Sequence, residues 1–100
     1  MFEFIKNLLG IGPSVDVKAL IQAGAKVIDV RTPSEYKQGH VKGSINLPLQ
    51  TLSSNVSKLK KEDVIITCCA SGMRSGAAKR LLKSHGFQQV HNGGTWMSLQ

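Results

Sequence analysis

Six consecutive residues, Cys69-Ala70-Ser71-Gly72-Met73-Arg74, bring a nucleophile, small side chains, a glycine and a cation into one short stretch. The stretch follows Val64-Ile65-Ile66-Thr67, the strongest strand pattern in the chain, and leads into a helical pattern. A tight turn between strand and helix points successive N–H groups inward and forms a concave anion site. The helix adds its unpaired first-turn donors and a partial positive charge. A cysteine at the rim of such a turn ionises below the free-thiol value near ~8.5, and the thiolate is the reactive form. Cys69 is therefore the candidate nucleophile, and the backbone of Ala70, Ser71, Gly72 and Met73 is its candidate cradle. Gly72 permits a bend that other residues resist. Arg74 closes the loop with a guanidinium able to tie its backbone or to meet an anionic substrate. The competing reading makes Cys69 a small buried hydrophobe; the strand–Cys–small–small–Gly–x–Arg–helix context argues against it.

The elements that must hold this loop follow from patterning. Phe2, Ile5, Leu8 and Leu9 fall at helical spacing before Gly10 and Gly12, which predicts a lead-in helix over 1–13 and a domain over 14–100. Asp16 suits an N-cap, and Val17, Leu20 and Ile21 form an apolar stripe closed by Gly24. Val27–Val30 reads as a buried strand, Thr32–Tyr36 as one or two helical turns entered through Pro33, and Ser44–Leu47 as a second strand stopped by Pro48. Leu49, Leu52, Val56 and Leu59 share a helical face. Ala77, Ala78, Leu81, Leu82 and His85 form the inner face of the helix after Arg74, which Gly86 stops. Val90-His91 is a candidate last strand, Asn92-Gly93-Gly94 a turn, and Trp96 and Leu99 plug the core. Strands alternating with helices, without a hairpin signal, predict an α/β domain with a parallel sheet covered on both faces. Ligands in such folds collect beyond the carboxyl ends of the strands, where Cys69 lies.

The chain has 100 residues, enough for one domain, with 13 basic and 6 acidic side chains and a net charge of +7. That balance suits an anionic partner. Aromatic residues are too sparse for a stacking platform, and the dense basic run Lys58, Lys60, Lys61 suits a helix end, so nucleic acid is not the expected partner. No apolar run reaches the ~18–20 residues of a membrane span. Glu3 comes early and no basic cluster precedes the first apolar residues, which reads poorly as a secretory signal. Adjacent Cys68 and Cys69 cannot staple distant segments, and no Cys/His spacing suits zinc, so neither a disulfide scaffold nor a metal or other cofactor is expected. A reactive thiol belongs in a reducing compartment, with the cytoplasm the expected location.

Three segments resemble the single-domain rhodaneses, a sulfurtransferase family. Asp29-Val30-Arg31-Thr32-Pro33-Ser34-Glu35-Tyr36, continuing through Gly39-His40-Val41-Lys42-Gly43-Ser44-Ile45-Asn46-Leu47-Pro48, matches the family's first signature. Cys69–Ser75 matches its active-site loop, and Gly86-Phe87 with Val90, Asn92-Gly93-Gly94 and Trp96 matches a shortened form of its C-terminal end. The resemblance implies a three-layer sandwich with a small, mostly parallel five-stranded sheet and helices on both faces. It also implies a two-step transfer: Cys69 takes sulfane sulfur from a small anionic donor such as thiosulfate, then passes it to cyanide in an assay or to a cellular thiol, including one on a thioredoxin-like protein. Six residues from Cys to Arg is the family's sulfur-transfer length, whereas counting from Cys68 gives the longer loop of related phosphatases and arsenate reductases. Cys69 is chosen because Ile65–Cys68 fill the strand and Gly72 and Arg74 then fall in register. Asp29, Arg31 and Glu35 are expected to make ion pairs and hydrogen bonds that support the site rather than to act in catalysis. His40 is expected to be a folding element, with His85 and His91 at a helix end and the surface.

Overall fold

A computed structural model describes residues 16–100; the lead-in segment lies outside the described residues. Asp16 caps the first helix, α1 (Val17–Gln22), by accepting the Ala19 N–H at 3.1 Å. The chain turns at Gly24 into β1 (Lys26–Asp29). Helix α2 (Pro33–Gln38) opens with a capping box, Thr32 accepting from the Glu35 N–H while the Glu35 carboxylate accepts from the Thr32 N–H. Next come the short edge strand β2 (Ile45–Asn46), helix α3 (Leu52–Asn55) between two 3-10 turns, β3 (Val64–Cys69), α4 (Met73–Ser84) and β4 (Gln89–Thr95). A final 3-10 turn spans Trp96–Leu99.

Every strand pairing is parallel, and the order is β2-β1-β3-β4. The sheet thus has four strands among the described residues rather than the five expected. Two other expectations are also corrected. The helix expected over Leu49–Leu59 breaks into one short α-helix flanked by 3-10 turns. Ser53, Ser54, Asn55 and Ser57 are poor helix formers, and the Asn55 side chain donates to the Thr51 carbonyl at 2.9 Å, competing with regular bonding. Asn92-Gly93-Gly94 belongs to β4 rather than to a turn.

That glycine pair sits at a bulge. Thr67 faces Asn92 and Cys69 faces Thr95, so two steps along β3 are matched by three along β4. Gly93 is there because nothing larger fits. A Cβ at this position would lie 2.7 Å from Ile66 Cγ2, 2.9 Å from the Thr67 carbonyl oxygen and 3.0 Å from Leu99 Cδ1. The backbone oxygen cannot swing aside, so Gly93→Ala must part the two strands. We expect a cost of about 2–3 kcal/mol and a midpoint of thermal unfolding roughly 10–20 °C lower; an unchanged midpoint would show that the approach is not close.

Alternation along the strands divides the core. One face buries Ile28, Val30, Ile65, Cys69 and Val90 against Leu52, Ala78 and Leu82 of α3 and α4. The other buries Val27, Ile66 and Cys68 with Val41, beneath Val17, Leu20, Ile21, Trp96 and Leu99. Neighbouring strand residues point to opposite faces, so the two adjacent thiols occupy different layers.

Candidate active site

The doubled cysteine resolves on this alternation. Cys68 is enclosed beside the Asp29 carboxylate, and burial followed by that charge pushes its thiol up to about 12. It is inert at neutral pH. Being on the opposite face from Cys69, it is also turned away from any disulfide with its neighbour.

Cys69 is the last residue of β3, with no exposed surface. The expectation of a cysteine at the rim is corrected: Cys69 is enclosed, and exposure begins with Ala70 and Ser71. Its Sγ points into the turn, where it accepts the Gly72 N–H at 2.9 Å and the Ser75 N–H at 3.4 Å, with the Ser75 hydroxyl oxygen at 3.5 Å. Burial alone would raise this thiol. Donation from the Ser75 side chain and amide, then from the Ser71 and Gly72 amides, outweighs it and brings Cys69 down to about 7. Gly72 makes the turn possible: its φ of +98° places it in the left-handed region as the N-cap of α4. Ala70 and Ser71 are exposed, and Met73 stands 81% exposed on the first turn of α4.

Arg74 does not turn its guanidinium to the loop backbone. It grips the Glu35 carboxylate with both ends, at 2.7 and 2.9 Å, linking the start of α4 to α2. The Arg74 hydrogen bonds, then the Thr32 amide, hold the Glu35 carboxyl down at about 2. Behind the loop, Asp29 and Arg31 are both buried. Arg31 Nε and Nη2 donate to the Asp29 carboxylate at 2.7–3.1 Å, Nη2 also reaches the Gly39 carbonyl at 2.7 Å, and the guanidinium lies 4.6 Å from the Trp96 ring centre. His40 stacks on Tyr36 at 3.8 Å, away from the sulfur network. His85 is exposed at the end of α4, and His91 is half-buried on β4 rather than at the surface.

Two residues that carry the family resemblance, Ser75 and Asn92, were given no site role from the sequence. Ser75 is fully buried, and its place was signalled by one polar residue on the stripe Ser75, Ala78, Leu82. Asn92, three strand steps along β4, carried no local signal; it accepts from the Ser75 hydroxyl at 2.6 Å.

Among the described residues there is no cluster of side chains able to hold a metal ion, and no helix is long and apolar enough to cross a membrane. The architecture is thus that of a parallel α/β domain with one enclosed cysteine sulfur at the carboxyl end of a central strand, facing the Gly72 and Ser75 amides. The Rhodanese-like domain family model matches residues 14–94, and the chain belongs to that family. It is 39% identical over 69 residues to Thiosulfate sulfurtransferase PspE of Escherichia coli (strain K12), a match covering 67% of this chain and 66% of that one. The matches cover between 36% and 66% of the length of three curated relatives. A rhodanese-related protein from Thermoplasma volcanium superposes with a TM-score of 0.74 at 33% identity, covering 84% of this chain and 83% of that chain. A structure described as "rhodanese with anions from E. coli" gives 0.64 at 36% identity, covering 74% and 89%.

Proposed function

We propose that the domain is a sulfurtransferase that moves sulfane sulfur through a persulfide on Cys69. The observation that carries the reading is the set of main-chain N–H groups, from Gly72 and Ser75, aimed at a single enclosed sulfur. In the first step the Cys69 thiolate attacks the outer sulfur of thiosulfate; the S–S bond of the donor breaks, sulfite leaves with the electron pair, and Cys69 carries a terminal anionic sulfur. In the second, cyanide or a thiolate attacks that outer sulfur and the thiolate of Cys69 departs. Both resting forms are anions, so the same amides serve both without a side-chain base. The net charge of +7 favours approach of a dianion. Exposed Ala70 and Ser71 directly follow the enclosed sulfur in the chain, which suits a slender donor reaching in past them. A cellular thiol, small or on a protein partner, is the natural acceptor, and a reducing compartment such as the cytoplasm would keep Cys69 free.

A phosphate ester is a poorer fit. Sγ of Cys69, not Cys68, occupies the cradle, so the loop to Arg74 is the shorter of the two counts. The nearby carboxylates, Asp29 and Glu35, are tied to arginines rather than free to protonate a leaving group.

Thiocyanate formation from thiosulfate and cyanide tests the cycle, and intact mass after thiosulfate alone tests the intermediate. The expected results are turnover and a gain of ~32 Da on the Cys69 peptide, as a covalent route requires. A chain that forms no thiocyanate and gains no sulfur would instead be a binding module of this fold.

A further inference from the structure

We propose that Asn92 is a positioning residue for the Cys69 thiolate, acting through Ser75. Its carboxamide holds the Ser75 hydroxyl and the Gly72 carbonyl so that the hydroxyl can turn its proton onto the sulfur when that sulfur is anionic. The inference rests on the reading of Cys69 as the reactive thiolate.

One hydroxyl proton on Ser75 faces three acceptors. Ser75 Oγ lies 2.6 Å from Asn92 Oδ1, 3.0 Å from the Gly72 carbonyl oxygen and 3.5 Å from Cys69 Sγ, yet a hydroxyl donates once. With Cys69 protonated, its S–H faces Ser75 Oγ and the hydroxyl proton rests on Asn92, the shortest of the three contacts. Once Cys69 ionises, the sulfur becomes a charged acceptor, and rotation about the Ser75 Cβ–Oγ bond delivers the proton to it without moving any heavy atom.

Asn92 makes that rotation cheap in two ways. Its Oδ1 also accepts the Gly94 N–H at 2.9 Å, so it is not orphaned when the Ser75 proton leaves. Its Nδ2 donates to the Gly72 carbonyl at 3.1 Å, which already receives the Gly76 N–H at 3.1 Å. That carbonyl is thereby saturated and does not compete for the Ser75 proton. A carboxamide can accept on one side and donate on the other; a carboxylate cannot. Regular parallel pairing opposite Thr67, one residue before the bulge at Gly93-Gly94, brings Asn92 to this place from a neighbouring strand.

The other charged groups around the loop come from β1, α2 and α4. β1 presents Asp29 locked to Arg31, and α2 presents Glu35 locked to Arg74. On the same side of the sheet as Cys69, α4 carries Lys79 and Lys83, whose charges act on His91 of β4, and Arg80, whose Nη1 and Asn92 Nδ2 both border Gly76. Cys68 faces the opposite layer.

The test is the pH profile of iodoacetamide labelling at the Cys69 peptide, which needs no sulfur donor and so stands apart from the thiocyanate and mass tests. Asn92→Asp, nearly isosteric at an exposed position, should move the labelling midpoint up by about one pH unit, because the carboxylate keeps the Ser75 proton and leaves Gly72 short of a donor. Ser75→Ala should raise the midpoint by itself. In that background Asn92→Asp should lose more than half of its effect. An unchanged midpoint in Asn92→Asp, or an equal shift with and without the Ser75 hydroxyl, would overturn the proposal; the second result would reduce Asn92 to the site of an added charge.

Discussion

Cys69→Ser is expected to lower the rate of thiocyanate formation by about 10³-fold or more, because a hydroxyl cannot carry the transferred sulfur and the covalent route is lost. Cys68→Ser, one position away, should turn over at close to the parent rate. The contrast follows from strand alternation. Cys69 points at the Gly72 and Ser75 N–H groups, whereas Cys68 points into the layer beneath Trp96 and Leu99, where burial and Asp29 push its thiol up to about 12. Cys68→Ser carries its own penalty, a hydroxyl buried in place of a thiol, which costs about 1–3 kcal/mol if it finds no partner. The two substitutions therefore separate by kind: one removes activity from a stable protein, the other trims stability from an active one. Initial rates and unfolding midpoints, measured side by side, check this. Activity surviving in Cys69→Ser and vanishing in Cys68→Ser would exchange the roles and void the cradle.

The second large effect is on stability. Arg31→Met should destabilise the domain by about 3–5 kcal/mol, the usual consequence of stranding a buried charge. Asp29 has no exposed surface and Arg31 only 4%, so water cannot take over when the guanidinium goes. The same guanidinium also holds the Gly39 carbonyl and lies over Trp96, so its loss frees the α2–β2 connection and the C-terminal turn together. For a chain of this size the thermal midpoint should fall by more than about 12 °C. Asp29→Asn added to Arg31→Met removes the stranded charge and should recover much of the loss. Calorimetry on the single and double variants decides it; a near-neutral single variant would mean that the pair contributes little to the fold.

The features legible in the sequence are those signalled by local chemistry. A β-branched run, then Cys, small residues, Gly and Arg, then an amphipathic stretch locate the reactive loop because a strand, a tight turn and a helix each leave a local mark. Thr32-Pro33-Ser34-Glu35 likewise spells a helix start, and the structure has the capping box there. What escaped depends on approach between segments distant in the chain. Gly93-Gly94 reads as a turn because glycine usually punctuates, whereas here Gly93 lets β4 slide against Ile66 and the Thr67 carbonyl. The partner of Arg74 lies 39 residues away, and nothing local distinguishes a guanidinium that grips Glu35 from one that meets a ligand. Asn92 in the sequence is one polar residue beside two glycines. Its role appears only once β4 is paired with β3 and its carboxamide meets Ser75.

Main-chain amides holding negative charge at one buried sulfur are the physical basis of the proposed transfer. Iodoacetamide labelling followed at each cysteine-bearing peptide, from weakly acid to strongly alkaline solution, reads that directly. Cys69 should label with a midpoint near 7, and Cys68 should stay unlabelled until the pH approaches about 12. A Cys69 midpoint at or above the free-thiol value of ~8.5 would contradict the account.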